Sequence, residues 1–321
     1  MKGRVVWVDW AKALGIYLVV LGHYILPNAE VRGYIYMFHM PLFFFISGFL
    51  TSDKSLNMPF GEFVKIKAKR LIVPYYLFSA LCLIWYLIKL KAGGGLDIFN
   101  TTLSVFINSF LCGDSPVSCG PAWFLWSLFF CNICVYAYKK YPAVMLILLS
   151  TLGVINLPIY LALHTLPCAL LFFTVGFLGK DKIINAADYM VSKKVIEFVA
   201  AVICLMLVWM GYRLIGNMDM VADQYTGYPV FSLIFAFIGI FGVISLCILI
   251  AKQSSFIESI SRSTLVIMCL HTELLWFIQL HVYDIFSNWF VVLISVFAIV
   301  VVLTAITPFI RKYVPILMGE R

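Results

Sequence analysis

Residues 5–26 read Val5-Val6-Trp7-Val8-Asp9-Trp10-Ala11-Lys12-Ala13-Leu14-Gly15-Ile16-Tyr17-Leu18-Val19-Val20-Leu21-Gly22-His23-Tyr24-Ile25-Leu26. The run exceeds the roughly 20 residues that a helix needs to cross the hydrocarbon core of a bilayer. It continues past Leu21 without a small-residue cleavage pattern, so it reads as a retained first span and not as a signal peptide. Its ionisable residues are Asp9, Lys12 and His23.

The rest of the chain repeats this character. Hydrophobic residues make up 63% of the 321 residues and charged residues 12%, and the mean hydropathy is +1.02. A globular domain carries roughly 25% charge, so a soluble fold is excluded. Apolar runs place ten spans at 5–26, 34–53, 71–91, 120–139, 142–160, 163–179, 194–215, 228–251, 263–281 and 288–311. The expected fold is therefore an all-α polytopic membrane protein of about ten transmembrane helices. With the N-terminus in the cytoplasm, 18 Lys and Arg residues fall inside and four (Arg32, Lys89, Lys91 and Arg213) fall outside, with Lys12 inside a span. By the positive-inside rule this split puts both termini in the cytoplasm. The net charge of +8 is thus a topology signal, and nucleic acid is not an expected partner.

Most of the nine cysteines lie within spans without metal-ligand spacing, so they read as small packing residues and no metal is expected. Cys112 and Cys119 both fall in the long outer connection, 92–119, and are able to close a short loop in an oxidising compartment. Connectivity is not readable from sequence. The same connection holds an apolar stretch at 98–111, short for a span, and a sequon at Asn100-Thr101-Thr102. Residues 60–70 alternate apolar and basic positions ahead of Pro74, the pattern of a basic surface helix leading into the third span.

Ionisable groups inside a bilayer are costly, so each is a functional candidate. Lys12 and His23 are eleven residues apart and share one helical face, about 16 Å apart along the axis. Asp9 lies one turn before Lys12, in position to pair with it. Either this face carries chemistry, or it holds a buried ion pair and a packing histidine. The second span, Tyr36-Met37-Phe38-His39-Met40-Pro41-Leu42-Phe43-Phe44-Phe45-Ile46-Ser47-Gly48-Phe49, runs inward and brings His39 to about the depth of His23. Two imidazoles at one level suit acyl transfer to a hydroxyl: one removes the alcohol proton and a second donor stabilises the oxyanion. Alternatively His39 bonds a neighbouring helix. Span nine adds His271 and Glu273 near mid-membrane, whose spacing of two puts them on different faces.

These residues carry a resemblance. Asp9 to Lys12 and His23, with Phe38-His39-Met40-Pro41-Leu42-Phe43-Phe44 and Ser47-Gly48-Phe49, resemble the acyltransferase-3 family of membrane acyltransferases, closest to the fucose 4-O-acetylase-like branch. That family's signature is an Arg or Lys, ten residues and a His in the first span; Lys12 to His23 is the Lys form. Lys67-x-x-Arg70 before Pro74 is similar to its Arg-x-x-Arg element, with Lys at the first place a departure. Trp123-Phe124-Leu125 and the late-span His271 also fit. The likeness is strongest over 4–50 and weak after about 140.

The resemblance implies one transmembrane acyltransferase domain over 1–321, in the inner membrane of a bacterium. Acetyl-CoA would donate the acetyl group from the cytoplasm to a hydroxyl of a surface or lipid-linked carbohydrate. His23 corresponds to the family's catalytic histidine, with His39 as second catalytic candidate. Lys12, Asp9, Lys67, Arg70 and His271 are candidates for holding the donor, and Trp123 and Glu273 for the acceptor. Phosphates of CoA need cations, which Lys65, Lys67, Lys69 and Arg70 supply on the cytoplasmic side, although positive-inside anchoring also accounts for such a run. The main alternative is a transporter or flippase for a glycan or lipid carrier, which needs intramembrane charge in the later spans, and these carry little beyond Glu273.

Overall fold

The opening run folds as helix α1, Val6–His23, and the other long helices pack around it. The computed structural model describes residues 4–24, 29–92, 120–141, 160–220, 229–282 and 288–320, together with 107, 144, 157–158, 222 and 224–225. Cys112, Cys119, the sequon and all but one residue of the 98–111 stretch lie outside the described residues, as does most of the expected span 142–160. After α1 come α2 (Ala29–Tyr36), α3 (His39–Phe49), α4 (Asp53–Leu56), α5 (Phe60–Ala92), α6 (Trp123–Lys140), α7 (Leu166–Ser192) and α8 (Lys194–Ile215). The chain ends with α9 (Pro229–Ile250), α10 (Ser255–Val282) and α11 (Trp289–Tyr313). Between α8 and α9 a two-stranded hairpin pairs β1, Met218–Asp219, with β2, Gln224–Tyr225.

Among the described residues seven helical stretches are long and apolar enough to cross a bilayer: α1, most of α5, Gly120–Lys140, Tyr160–Ser192, α8, α9 and α11. The protein is thus an all-α polytopic membrane protein. Helix α10, 28 residues long, covers the expected span 263–281 and carries Glu258, Arg262, His271 and Glu273. The expected second span is not one helix. It breaks at Met37-Phe38, where Phe38 takes φ −141° and ψ −14°. Pro41 lies in the first turn of α3, where a missing N–H removes no helical bond, so the break falls ahead of the proline. The basic stretch at 60–70 and the third span form the single helix α5, which runs through Pro74.

Lipid tails give no hydrophobic drive for helix to meet helix, so close backbone approach supplies much of the attraction. The α3–α7 pair shows this. A Cβ on Gly48 would fall on the Phe173 carbonyl, and one on Gly176 on the Phe45 carbonyl. Helix α1 packs along α10 and also touches α2, α3, α9 and α11.

The basic residues gather at one end of the bundle. There Lys139 pairs with Asp53, Lys180 donates to the Thr51 carbonyl at 3.2 Å, and Arg4 pairs with Glu258. A 3₁₀ turn, Pro315–Met318, closes the same end. It ends at Gly319, whose φ of 66° and whose absent Cβ, otherwise 2.6 Å from Arg70 Cα, both require glycine. The pair Arg213–Glu30 marks the opposite end.

Candidate active site

Lys12, Ile16, Val19 and His23 lie at i, i+4, i+7 and i+11 on α1, one continuous face, and all four line a cavity of about 980 Å³. The cavity runs the length of that face. At the basic end it meets Ser47 and Leu50 of α3, Arg70 of α5 and Thr264 of α10. At the opposite end it meets Arg32, Tyr36, His39, Trp123, Asp219, Thr272 and Glu273. Of the expected site residues, Lys12, His23, His39, Arg70, Trp123 and Glu273 line it. Asp9, Lys67 and His271 do not.

Three histidines share one local device. The Nδ1 of His23 bonds the Val19 carbonyl at 2.8 Å, that of His39 the Ile35 carbonyl at 3.0 Å, and that of His271 the Ile267 carbonyl at 2.8 Å. A carbonyl only accepts, so Nδ1 carries the proton in each, and a neutral ring keeps its lone pair at Nε2. His23 is half-buried and faces the cavity, so its Nε2 is placed to accept a proton from a bound hydroxyl. This tautomer changes the reading of His39, which is 3% exposed. A neutral His39 offers an acceptor at Nε2 and becomes an oxyanion donor only as the imidazolium. The Tyr36 ring stands between the two, 6.2 Å from His23 and 4.8 Å from His39 between centroids.

His271 is fully buried behind His23 and not in the cavity wall, with ring centroids 4.9 Å apart and edge-on. Its Nε2 is buried and has no hydrogen-bond partner among the described residues. Thr272 and Glu273 line the cavity while His271 turns to α1, because one and two residues rotate a side chain by about 100° and 200° on a helix.

At the basic end the expected Asp9–Lys12 pair is replaced by a chain of contacts. Lys12 Nζ donates to the Ser261 carbonyl at 2.6 Å, and Ser261 Oγ donates to Asp9 Oδ1 at 2.7 Å. Asp9 is held by Arg4 through Nε at 2.5 Å and Nη2 at 2.9 Å. Asp9 turns to Arg4 because a guanidinium matches both carboxylate oxygens, which an ammonium does not. Lys12 thus bonds a neutral carbonyl rather than a carboxylate, and its side chain lines the cavity. In the basic run Arg70 reaches the cavity, whereas Lys67 lies over the Phe63 ring at 5.3 Å.

The opposite end holds what sequence reasoning missed. Arg32, counted only as an outer charge, lies over the Tyr36 ring at 5.0 Å and lines the cavity. The hairpin adds Met218 and Asp219 to the wall. Neither has a spacing signal, because the break after α2 and the hairpin set their directions. Trp123 packs on Phe44 at 6.1 Å with its own ring in the wall.

The profile of the acyltransferase domain family matches residues 5–308. Nodulation protein NolL of Sinorhizobium fredii (strain NBRC 101917 / NGR234) is 29% identical over 215 residues, 60% of this chain and 53% of that protein. Nodulation protein NolL of Mesorhizobium japonicum (strain LMG 29417 / CECT 9101 / MAFF 303099) is 29% identical over 187 residues, 53% of this chain and 46% of that protein. The chain spans about half the length of these two relatives. No solved structure matches. With nearly its whole length matched, the chain belongs to the acyltransferase-3 family of membrane acyltransferases.

Proposed function

We propose that the protein transfers an acetyl group from acetyl-CoA, bound from the cytoplasm at the basic end, to a hydroxyl of a surface or lipid-linked carbohydrate entering from the opposite end. The enzyme would lie in the inner membrane of a bacterium. One observation carries this reading: the Nε2 side of His23 faces a cavity whose basic end is lined by Lys12 and Arg70. The Lys12–His23 separation, about 16 Å along the helix, is a length that an extended pantetheine arm bridges. Arg70 suits a phosphate of the donor, since it has no carboxylate partner among the described residues.

In this scheme the acceptor oxygen attacks the thioester carbonyl carbon while His23 Nε2 takes its proton. The carbon–sulfur bond breaks, and the sulfur leaves with the proton that His23 returns. The products are the acetyl ester and free CoA. Val19 keeps the His23 ring in the required tautomer throughout. His39 Nε2 accepts a hydrogen bond from a neighbouring sugar hydroxyl.

The test is made on purified protein. Acetyl-CoA should raise the melting temperature of the wild type and of His23→Ala, because binding to the folded state alone stabilises it. Radiolabelled acetyl transfer in membranes should be lost in His23→Ala. Absence of the thermal shift, or wild-type transfer by His23→Ala, would sink the proposal and favour a carrier for glycans or lipids.

A further inference from the structure

The described residues include six arginines, and their surroundings divide them. Arg4 pairs with Asp9 and Glu258, Arg213 with Glu30, Arg262 with Glu258 and Arg311 with Glu320. Arg32 and Arg70 have no carboxylate in salt-bridge reach among the described residues, and these two line the cavity, one at each end. A guanidinium stays charged under all ordinary conditions and binds phosphate or carboxylate through two parallel N–H bonds. An unpaired one in a cavity wall is what a site for an anionic ligand provides.

We propose that the acceptor carries an oxyanion, a phosphate or a carboxylate, close to the hydroxyl that is acylated, and that Arg32 binds it. This rests on the acyl-transfer reading of the same cavity. Arg32 is oriented by the Tyr36 ring, 5.0 Å below its guanidinium. Tyr36 in turn touches both His23 and His39. An anion on Arg32 therefore sets the rest of the acceptor one aromatic ring away from both imidazoles. Asp219 and Glu273 line the same half of the cavity. Among the described lining residues of that half, Arg32 is the cation that matches an anion. Arg70, at the far end, serves the donor in the same way.

The experiment uses full-length purified protein and matched probes: the methyl glycosides of glucose and galactose, the methyl glycosides of the corresponding uronates, and glucose and galactose 1-phosphate. One or both anionic series should raise the melting temperature without acetyl-CoA, and the neutral glycosides should not. Which series acts separates a sugar carboxylate from a sugar phosphate. Arg32→Gln should abolish that shift and Arg70→Gln should keep it. In transfer assays Arg32→Gln should raise the KM of the anionic acceptor about 10- to 100-fold, with kcat within about twofold, and Arg32→Lys should recover part of the loss. A retained acetyl-CoA shift shows that Arg32→Gln is folded. The proposal is overturned if neither anionic series shifts the wild type, if the shift survives Arg32→Gln, or if neutral glycosides serve as well. Failure of the acyl-transfer reading is a separate result, the absence of any acetyl-CoA response.

Discussion

Helices α1 and α8 both qualify as membrane spans, yet they live in different solvents. Over 18 residues of each helix, mean hydropathy is 1.2 with 56% buried inside the protein in α1, against 2.2 with 17% buried in α8. The less apolar helix is the more enclosed one. Lipid dissolves apolar side chains as well as a protein core does, so a lipid-facing helix needs only apolarity. Val195, Ile196, Met206 and Leu214 accordingly stand exposed on α8. A helix that carries Asp9, Lys12 and His23 must be surrounded by partners that solvate them, which α10 does through Ser261 and His271. Hydropathy therefore finds both spans, while polarity picks out the one that bears the candidate site.

The largest expected effect sharpens this contrast at its centre. His23→Ala should lower acetyl transfer by roughly 10²- to 10⁴-fold, the usual worth of a positioned general base, read with labelled acetyl-CoA, while Ile196→Ala on α8 leaves the rate unchanged. Next in size, Leu207→Lys places a charge on the lipid face of α8 at a cost of about 2.5–3.5 kcal/mol, seen as loss of folded protein in membranes. If that substitution were harmless, α8 would not face lipid. Gly48→Val forces α3 away from the Phe173 carbonyl and should cost roughly 1–3 kcal/mol, measured as a lower melting temperature in detergent. Lys12→Met should weaken acetyl-CoA binding about tenfold, the scale of one charge-assisted bond, with no loss of thermal stability, since a buried charge is replaced by an apolar chain of similar length. A fall in stability instead would make Lys12 a structural residue. Smallest is Arg213→Ala, which removes the half-exposed pair with Glu30 and should change stability by no more than about 1 kcal/mol.

How far the site was legible depends on the reach of each signal. Lys12 and His23 were readable because a helix repeats every 3.6 residues and both side chains belong to one helix. Arg70 and Trp123 were readable through motif likeness, and both line the cavity. Lys67 was drawn in by the same motif and shares the helix face of Arg70, yet its ammonium lies over the Phe63 ring and does not line the cavity. Asp9 and Lys12 looked like partners at one turn, but Arg4 offered a better fork from outside the helix. His271 was placed in the donor path, and its burial behind His23 follows from the rotation of α10 about its own axis.

By itself, then, the sequence determined the helical membrane fold, the basic end, and the Lys12–His23 face. Each is a local property, set by runs of apolar residues, counts of charge and the helical period. Only the tertiary structure decided that Lys12 bonds Ser261, 249 positions away, that Arg4 reaches Glu258, 254 positions away, and that Arg32 and Arg70, at the two ends of one cavity, have no carboxylate partner among the described residues. Those facts depend on how each helix is rotated against its neighbours. Backbone approach at small residues and the packing of apolar faces set that rotation, and no spacing within a single helix encodes it.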